Sequence, residues 1–219
     1  SLNKQCVESW KTYNEDWEFR LLDNSNLTEY FDTDNWKGVS RVQAKSDVLR
    51  INLLADNGGV WVDADVWCCK PLDEWVHDAN SLGGFFAFYL PNMKRTISSW
   101  FLASTPGNYL TKKYRDLVRE YWNGRNKSHA YYWFHYLFGP MCDSDERVQK
   151  IWDSCDKVSG FDQACFRRNG IPSDPASWPS DVYERLRTKR EFVYKLDRRK
   201  SGKMKCLLSV LNELMEETM

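Results

Sequence analysis

The chain has no uninterrupted apolar run of about 18 residues, the length a membrane-crossing helix needs. It also lacks the basic start and short apolar segment that direct secretion. Charge of one sign is missing too: Lys plus Arg and Asp plus Glu each number 31, a formal charge of zero. No long-range field therefore draws in nucleic acid or an anionic membrane, and nucleic acid is excluded as a main partner. The seven cysteines make no Cys-x-x-Cys spacing, and an odd count with Cys68 and Cys69 adjacent builds no secreted disulfide framework. Reduced, mostly buried thiols are expected, in a cytoplasmic chain that meets a membrane only through upstream or partner segments. There is no internal repeat and no low-complexity tract.

What is present is aromatic: 15% of 219 residues, with eleven each of Trp, Tyr and Phe. Such rings serve cores first and sugar-stacking surfaces second. Apolar spacing of three and four predicts a helix over 3–13, and alternation predicts a strand over 16–22. A short helix is expected around 27–32, and a helix over 40–56, apolar enough to be buried along much of its length and stopped by Gly58. Val60–Val62 reads as a strand that continues past two aspartates as Val66–Cys69 until Pro71, with further strands at 84–90 and 98–104 and a helix over 107–122. This alternation predicts an α/β fold with a mostly parallel central sheet flanked by helices. Beyond residue 160, Gly160, Gly170, Pro172, Pro175 and Pro179 mark a loop-rich stretch before a basic segment and a closing helix over 207–215. The chain opens inside what reads as a helix, so natural sequence is expected upstream.

The most informative stretch is 46–65. If Asp63 and Asp65 lie on one strand, residues two apart share a face, so both carboxylates aim at one spot while Ala64 points away. Such a pair suits Mg²⁺ or Mn²⁺, hard cations that take one or two protein carboxylates and leave room for water and substrate phosphates. A bare Asp-Ala-Asp is weak evidence, and a solvated turn is the plainer account. Apolar residues on both sides raise its weight, because ligands of open α/β sheets bind at strand carboxyl ends. Asp47 and Arg50, three apart on one helix face, either pair internally or reach a sugar hydroxyl or phosphate.

Cys6-Val-Glu-Ser-Trp10-Lys, then Trp17, Leu21-Leu22-Asp23 and Ser46-Asp47-x-x-Arg50-x-x-x-Leu54-x-x-x-Gly58-Gly59-Val-Trp61-x-Asp63-x-Asp65 resemble the capsular polysaccharide synthesis family of glycosyltransferases. That family is related to a group of mannosyltransferases and to the glucosylating domain of the large clostridial toxins. The resemblance covers roughly 4–155, with an echo at Tyr194-Lys195-Leu196. It implies a GT-A-like transferase using Mn²⁺ or Mg²⁺, a nucleotide-diphospho-sugar donor and a glycan acceptor, with a nucleotide-sugar-binding core over 1–160 and a C-terminal extension over 161–219 packed on it. The family's opening strand would precede this chain. Carried over, Asp65 binds the metal, Asp63 meets the donor sugar or ribose and the metal through water, and Ser46, Asp47 and Arg50 hold the donor. Gly58 and Gly59 make the turn leading to Trp61, and transfer proceeds with retention.

Other candidates carry less. His135 has a pKa range suited to ligand or base duty, although a core histidine among aromatics is the plainer account. His77 and His129 read as exposed, Trp100 and Trp133 as core before sugar platforms, and Gly139-Pro140 as a turn. Asp143 and Asp145 read as a solvated helix N-terminus. The run of lysines and arginines over 187–205 reads as a solvated basic face that could reach a phosphate-bearing donor, with Lys195 the residue to test. Val60–Val66 also resembles the signature of haloacid-dehalogenase phosphatases, but no late acidic pair follows an apolar strand. A truncated transferase that only binds glycan is the non-enzymatic alternative.

Overall fold

The computed structural model describes residues 1–76, 83–92, 94–166, 171–172, 174–200, 202 and 204–217. In chain order its main elements are α1 (Leu2–Tyr13), α2 (Leu27–Tyr30), α3 (Val42–Asn57), β1 (Gly59–Val62), β2 (Val66–Cys68), β3 (Phe85–Asn92) and β4 (Arg95–Ser104). There follow α4 (Tyr109–Trp122), α5 (Trp133–Ser144), α6 (Glu146–Asp153), α7 (Gly160–Gln163), α8 (Ser180–Arg187), β5 (Val193–Lys195) and α9 (Lys205–Glu216). The chain divides into two compact units, one of Ser1–Phe19, Val62–Trp75 and Ser159–Met219, the other of Arg20–Trp61 and Val76–Val158.

In the second unit, α3 runs until Gly58, whose N–H still bonds to the Leu54 carbonyl at 2.9 Å. Gly58 then takes φ +71°, and a Cβ there would lie 2.6 Å from the Pro106 nitrogen. Only glycine meets both demands at once. Asn108 caps α4 by accepting the Leu110 N–H at 2.9 Å. Along α4, Leu110, Tyr114, Val118 and Trp122 recur every four residues and are all buried, which is the apolar stripe that holds a surface helix to its core. They meet Val48, Ile51 and Leu54 of α3 and Phe134 and Phe138 of α5 in one cluster.

The sheet of this unit has the order β1-β4-β3. β3 pairs antiparallel with β4, Phe85 opposite Ser104 and Ala87 opposite Leu102. The fold is α/β as expected, but the mostly parallel sheet is not supported: both pairings with a defined register, β3 with β4 and β2 with β5, are antiparallel. The reason lies in the connection. Only residues 93 and 94 separate β3 from β4, whereas a parallel crossover needs a dozen or more.

In the first unit, β2 and β5 form a two-stranded ladder, Val66 opposite Lys195, Trp67 opposite Tyr194 and Cys68 opposite Val193. α1 backs this ladder through side chains: Trp10 Nε1 donates to the Val66 carbonyl at 2.8 Å, and the Cys68 N–H donates to Ser9 Oγ at 2.9 Å. Asn14, just past the helix, accepts from the Leu72 N–H at 2.7 Å. Leu2 and Cys6 of α1 join Trp67, Tyr194, Leu196 and the α9 residues Leu207 and Leu211 in this unit's core.

Two local expectations are corrected. Residues 16–22 form no strand; their alternation has no neighbouring strand to pair with, and an isolated extended segment is not stable in water. Gly139 and Pro140 lie inside α5 and not in a turn, so the helix carries proline at the cost of one internal hydrogen bond. Among the described residues no helix is long and apolar enough to cross a membrane, and all seven cysteines are free. His77 lies outside the described residues.

Candidate active site

Asp63 and Asp65 are not on a strand. The Val66 N–H bonds to the Asp63 carbonyl at 3.1 Å, closing a tight turn between β1 and β2 with Ala64 exposed at its tip. The expected convergence is reached all the same, by turn geometry instead of strand pleat. Lys195 Nζ donates to Asp63 Oδ2 at 2.9 Å and also to Asp65 Oδ1. One ammonium thus sits within reach of both carboxylates, and the two acids share one cation position.

Lys195 is delivered there by backbone pairing. It stands opposite Val66 in the β2–β5 ladder, and the Leu196 N–H donates to the Asp65 carbonyl at 2.9 Å. The Lys195 side chain is 4% exposed, against 27% for Asp63 and 18% for Asp65. The cation is therefore at the inner side of the pair, and both carboxylates keep an outer side towards solvent. A buried ammonium without partners would carry a heavy desolvation cost, and the two acids remove it. Cys6 is fully buried nearby, its thiol pushed up to about 12 by burial first and the Asp65 carboxylate second. Burial thus favours the neutral thiol there.

The donor set suits a hard divalent ion: carboxylate oxygens, two of them, aimed at one point already taken by a positive charge. Among the described residues no group of three or more His, Cys, Asp or Glu side chains is arranged to hold a metal. Remaining coordination positions would fall to water or substrate oxygens.

In the other unit, Ser46, Asp47, Arg50 and Trp61 come together. Arg50 Nε donates to the Ser46 carbonyl at 3.1 Å, its Nη2 to Ser46 Oγ at 2.8 Å, and its Nη1 to the Ser99 carbonyl of β4. Asp47 Oδ1 is 3.4 Å from Nη2, and the guanidinium lies 5.2 Å from the centre of the Trp61 ring. Asp47 is 8% and Arg50 4% exposed. The pair that sequence left open is thus internal, and Arg50 ties α3 to β4. Gly58 and Gly59, at φ +71° and +87°, turn the chain into β1 and set Trp61 under the guanidinium.

His135 is 9% exposed on α5, edge-on to Tyr132 and Phe134, the setting of a core histidine. His129 is exposed and hydrogen-bonded to the Tyr121 hydroxyl. Trp133 and Trp100 are core, 1% and 7% exposed. Asp145 caps α6, accepting from the Arg147 and Val148 N–H groups at 3.1 Å each. The residues sequence reasoning missed are Ser9, Trp10 and Asn14, which hold β2 and so the turn before it. The signal for Ser9 and Trp10 was in plain view as the Cys-x-x-Ser-Trp string; Asn14 lies beyond it.

With this geometry in place the comparisons are specific. A family model described as "Capsular polysaccharide synthesis protein" matches residues 1–167. The chain belongs to this family. The matched span takes in α1, the Arg50 cluster and both aspartates. It stops short of Lys195, the partner of both aspartates. The chain is also similar to the O-glycosyltransferase braB of Annulohypoxylon truncatum, 26% identical over 110 residues, which is 47% of this chain and 26% of that protein. The aligned stretch thus spans about a quarter of that relative. No solved structure matches.

Proposed function

We propose that the chain is a metal-dependent glycosyltransferase of GT-A type, moving a sugar from a nucleotide-diphospho-sugar to a glycan acceptor with retention of configuration. Family membership and the likeness to an O-glycosyltransferase support glycosyl transfer. The single observation that carries the site is the convergence of Asp63 and Asp65 on one cation position.

Asp65 and Asp63 would hold Mn²⁺ or Mg²⁺, which when bound acts as a Lewis acid towards the negative charge on a departing diphosphate. The outer, solvent-reaching side of the carboxylates is where a donor's phosphates would approach. Within their own unit, Ser46, Asp47 and Trp61, held in place by Arg50, are the residues that the family likeness proposes for the donor sugar. Cationic character develops at the sugar carbon as its bond to phosphate lengthens, and nearby carboxylates favour it. The acceptor hydroxyl attacks from the face the phosphate leaves and gives its proton to the departing phosphate oxygen, which retains configuration without a protein nucleophile.

Calorimetry with Mn²⁺ and a panel of nucleotide sugars tests this. A transferase binds at least one sugar nucleotide in the presence of metal, and Asp65→Ala abolishes that binding. The variant also takes one acidic partner from the buried Lys195 and should melt lower than the parent, so donor binding is read well below its melting temperature, with circular dichroism confirming the fold. Preference for phosphate monoesters would favour a phosphatase, and glycan binding indifferent to nucleotide a lectin-like domain. Undiminished donor affinity in Asp65→Ala would remove the metal assignment.

A further inference from the structure

We propose that Lys195 is the built-in occupant of the Asp63–Asp65 cation position, and that its ammonium and a divalent ion exclude one another from the carboxylate pair. This rests on the reading of that pair as metal ligands.

Three observations carry it. The ammonium is hydrogen-bonded to both carboxylates at once, which is where a bridging cation would be. It is not a stray surface lysine: in the same basic segment Arg187, Arg190, Arg199, Lys200 and Lys205 are exposed, whereas Lys195 is 3% exposed. Its backbone is pinned, because Val66 pairs with Lys195 and the Leu196 N–H bonds to the Asp65 carbonyl, so the side chain reaches the pair from a fixed starting point.

The charge balance follows from these contacts. Two carboxylates and one ammonium sum to about one negative charge, and two carboxylates with a divalent ion sum to zero. All three together leave a net positive charge, with an ammonium and a metal ion repelling each other at hydrogen-bonding range in a partly buried place. Unless Lys195 leaves, the metal meets a pair already neutralised by half. The acids stay ordered without metal, and loading becomes an exchange of one cation for another.

The test is Mn²⁺ titration without nucleotide, read as bound metal by electron paramagnetic resonance, on the parent, Lys195→Met, Lys195→Arg and Asp65→Ala. Removing the ammonium with Lys195→Met should tighten Mn²⁺ binding by about tenfold or more, and the thermal gain from Mn²⁺ should be larger than the parent's. Lys195→Arg keeps a permanent charge and grips carboxylates with two donors, so it should bind Mn²⁺ more weakly than the parent. Equal affinity in Lys195→Met and the parent overturns the exclusion and leaves the metal reading standing. Should Lys195→Met not fold, the Arg variant decides, and affinity equal to or above the parent's overturns the proposal. Binding that Asp65→Ala leaves intact, or no binding in any of the proteins, overturns the metal reading and the proposal with it.

Discussion

At the scale of single residues, the adjacent glycines 58 and 59 do different work. Both take positive φ, but a methyl on Gly58 would strike Pro106 at 2.6 Å, while one on Gly59 would meet nothing within 4 Å. Gly59→Ala should therefore cost about 1–2 kcal/mol of backbone strain alone. Gly58→Ala should cost about 3 kcal/mol or more, strain and overpacking together. Urea denaturation of the two variants separates them, and equal losses would contradict the contact with Pro106. Asp145 gives a prediction in pH. The Val148 N–H foremost, with the Tyr109 hydroxyl and the Arg147 N–H, holds its carboxyl below the usual carboxylate range. Its contribution is whole above the ordinary carboxylate value near about 4 and is lost as pH falls through the lower folded value. Asp145→Asn keeps a capping oxygen but cannot titrate, so its melting temperature should fall less steeply than the parent's as pH drops below the ordinary carboxylate range.

At the scale of elements, α3 shows how much a buried arginine can hold. Its guanidinium reaches Ser46 within the helix, Ser99 on β4, Asp47 beside it and the Trp61 ring on β1. Arg50→Met would leave a buried Asp47 without that charge and the Ser99 carbonyl without that donor, a loss of about 3–5 kcal/mol by analogy with broken buried pairs. Arg50→Lys restores charge but not the planar fork and should recover only part of it. Chemical denaturation reads both, and a neutral Arg50→Met would show that α3 does not depend on this tie. The elements also mark where pattern reading stops. Alternation over 16–22 looked like a strand and is none, because alternation needs a partner strand and local spacing does not report one. The helices over 2–13, 42–57 and 109–122 were legible, because caps, Gly58 and a four-residue apolar repeat are local facts.

At the scale of the whole molecule, seven free thiols and two apolar cores leave nothing for a disulfide to hold. Dithiothreitol should leave the thermal midpoint unchanged; a drop of several degrees would reveal a cross-link of the kind worth about 2–5 kcal/mol. The sequence by itself determined the α/β character, the glycine stop before β1, the family string and the nearness of two acids two residues apart. These depend on neighbours along the chain, which periodicity and turn chemistry record. Only the tertiary structure decided strand direction, the turn that replaces the expected pleat at Asp63 and Asp65, and the identity of the cation between them. Lys195 is 130 residues from Asp65 in sequence. No local pattern encodes such a contact: it exists because β5 pairs with β2, and that pairing is set by burying Trp67, Tyr194 and Leu196 in one core.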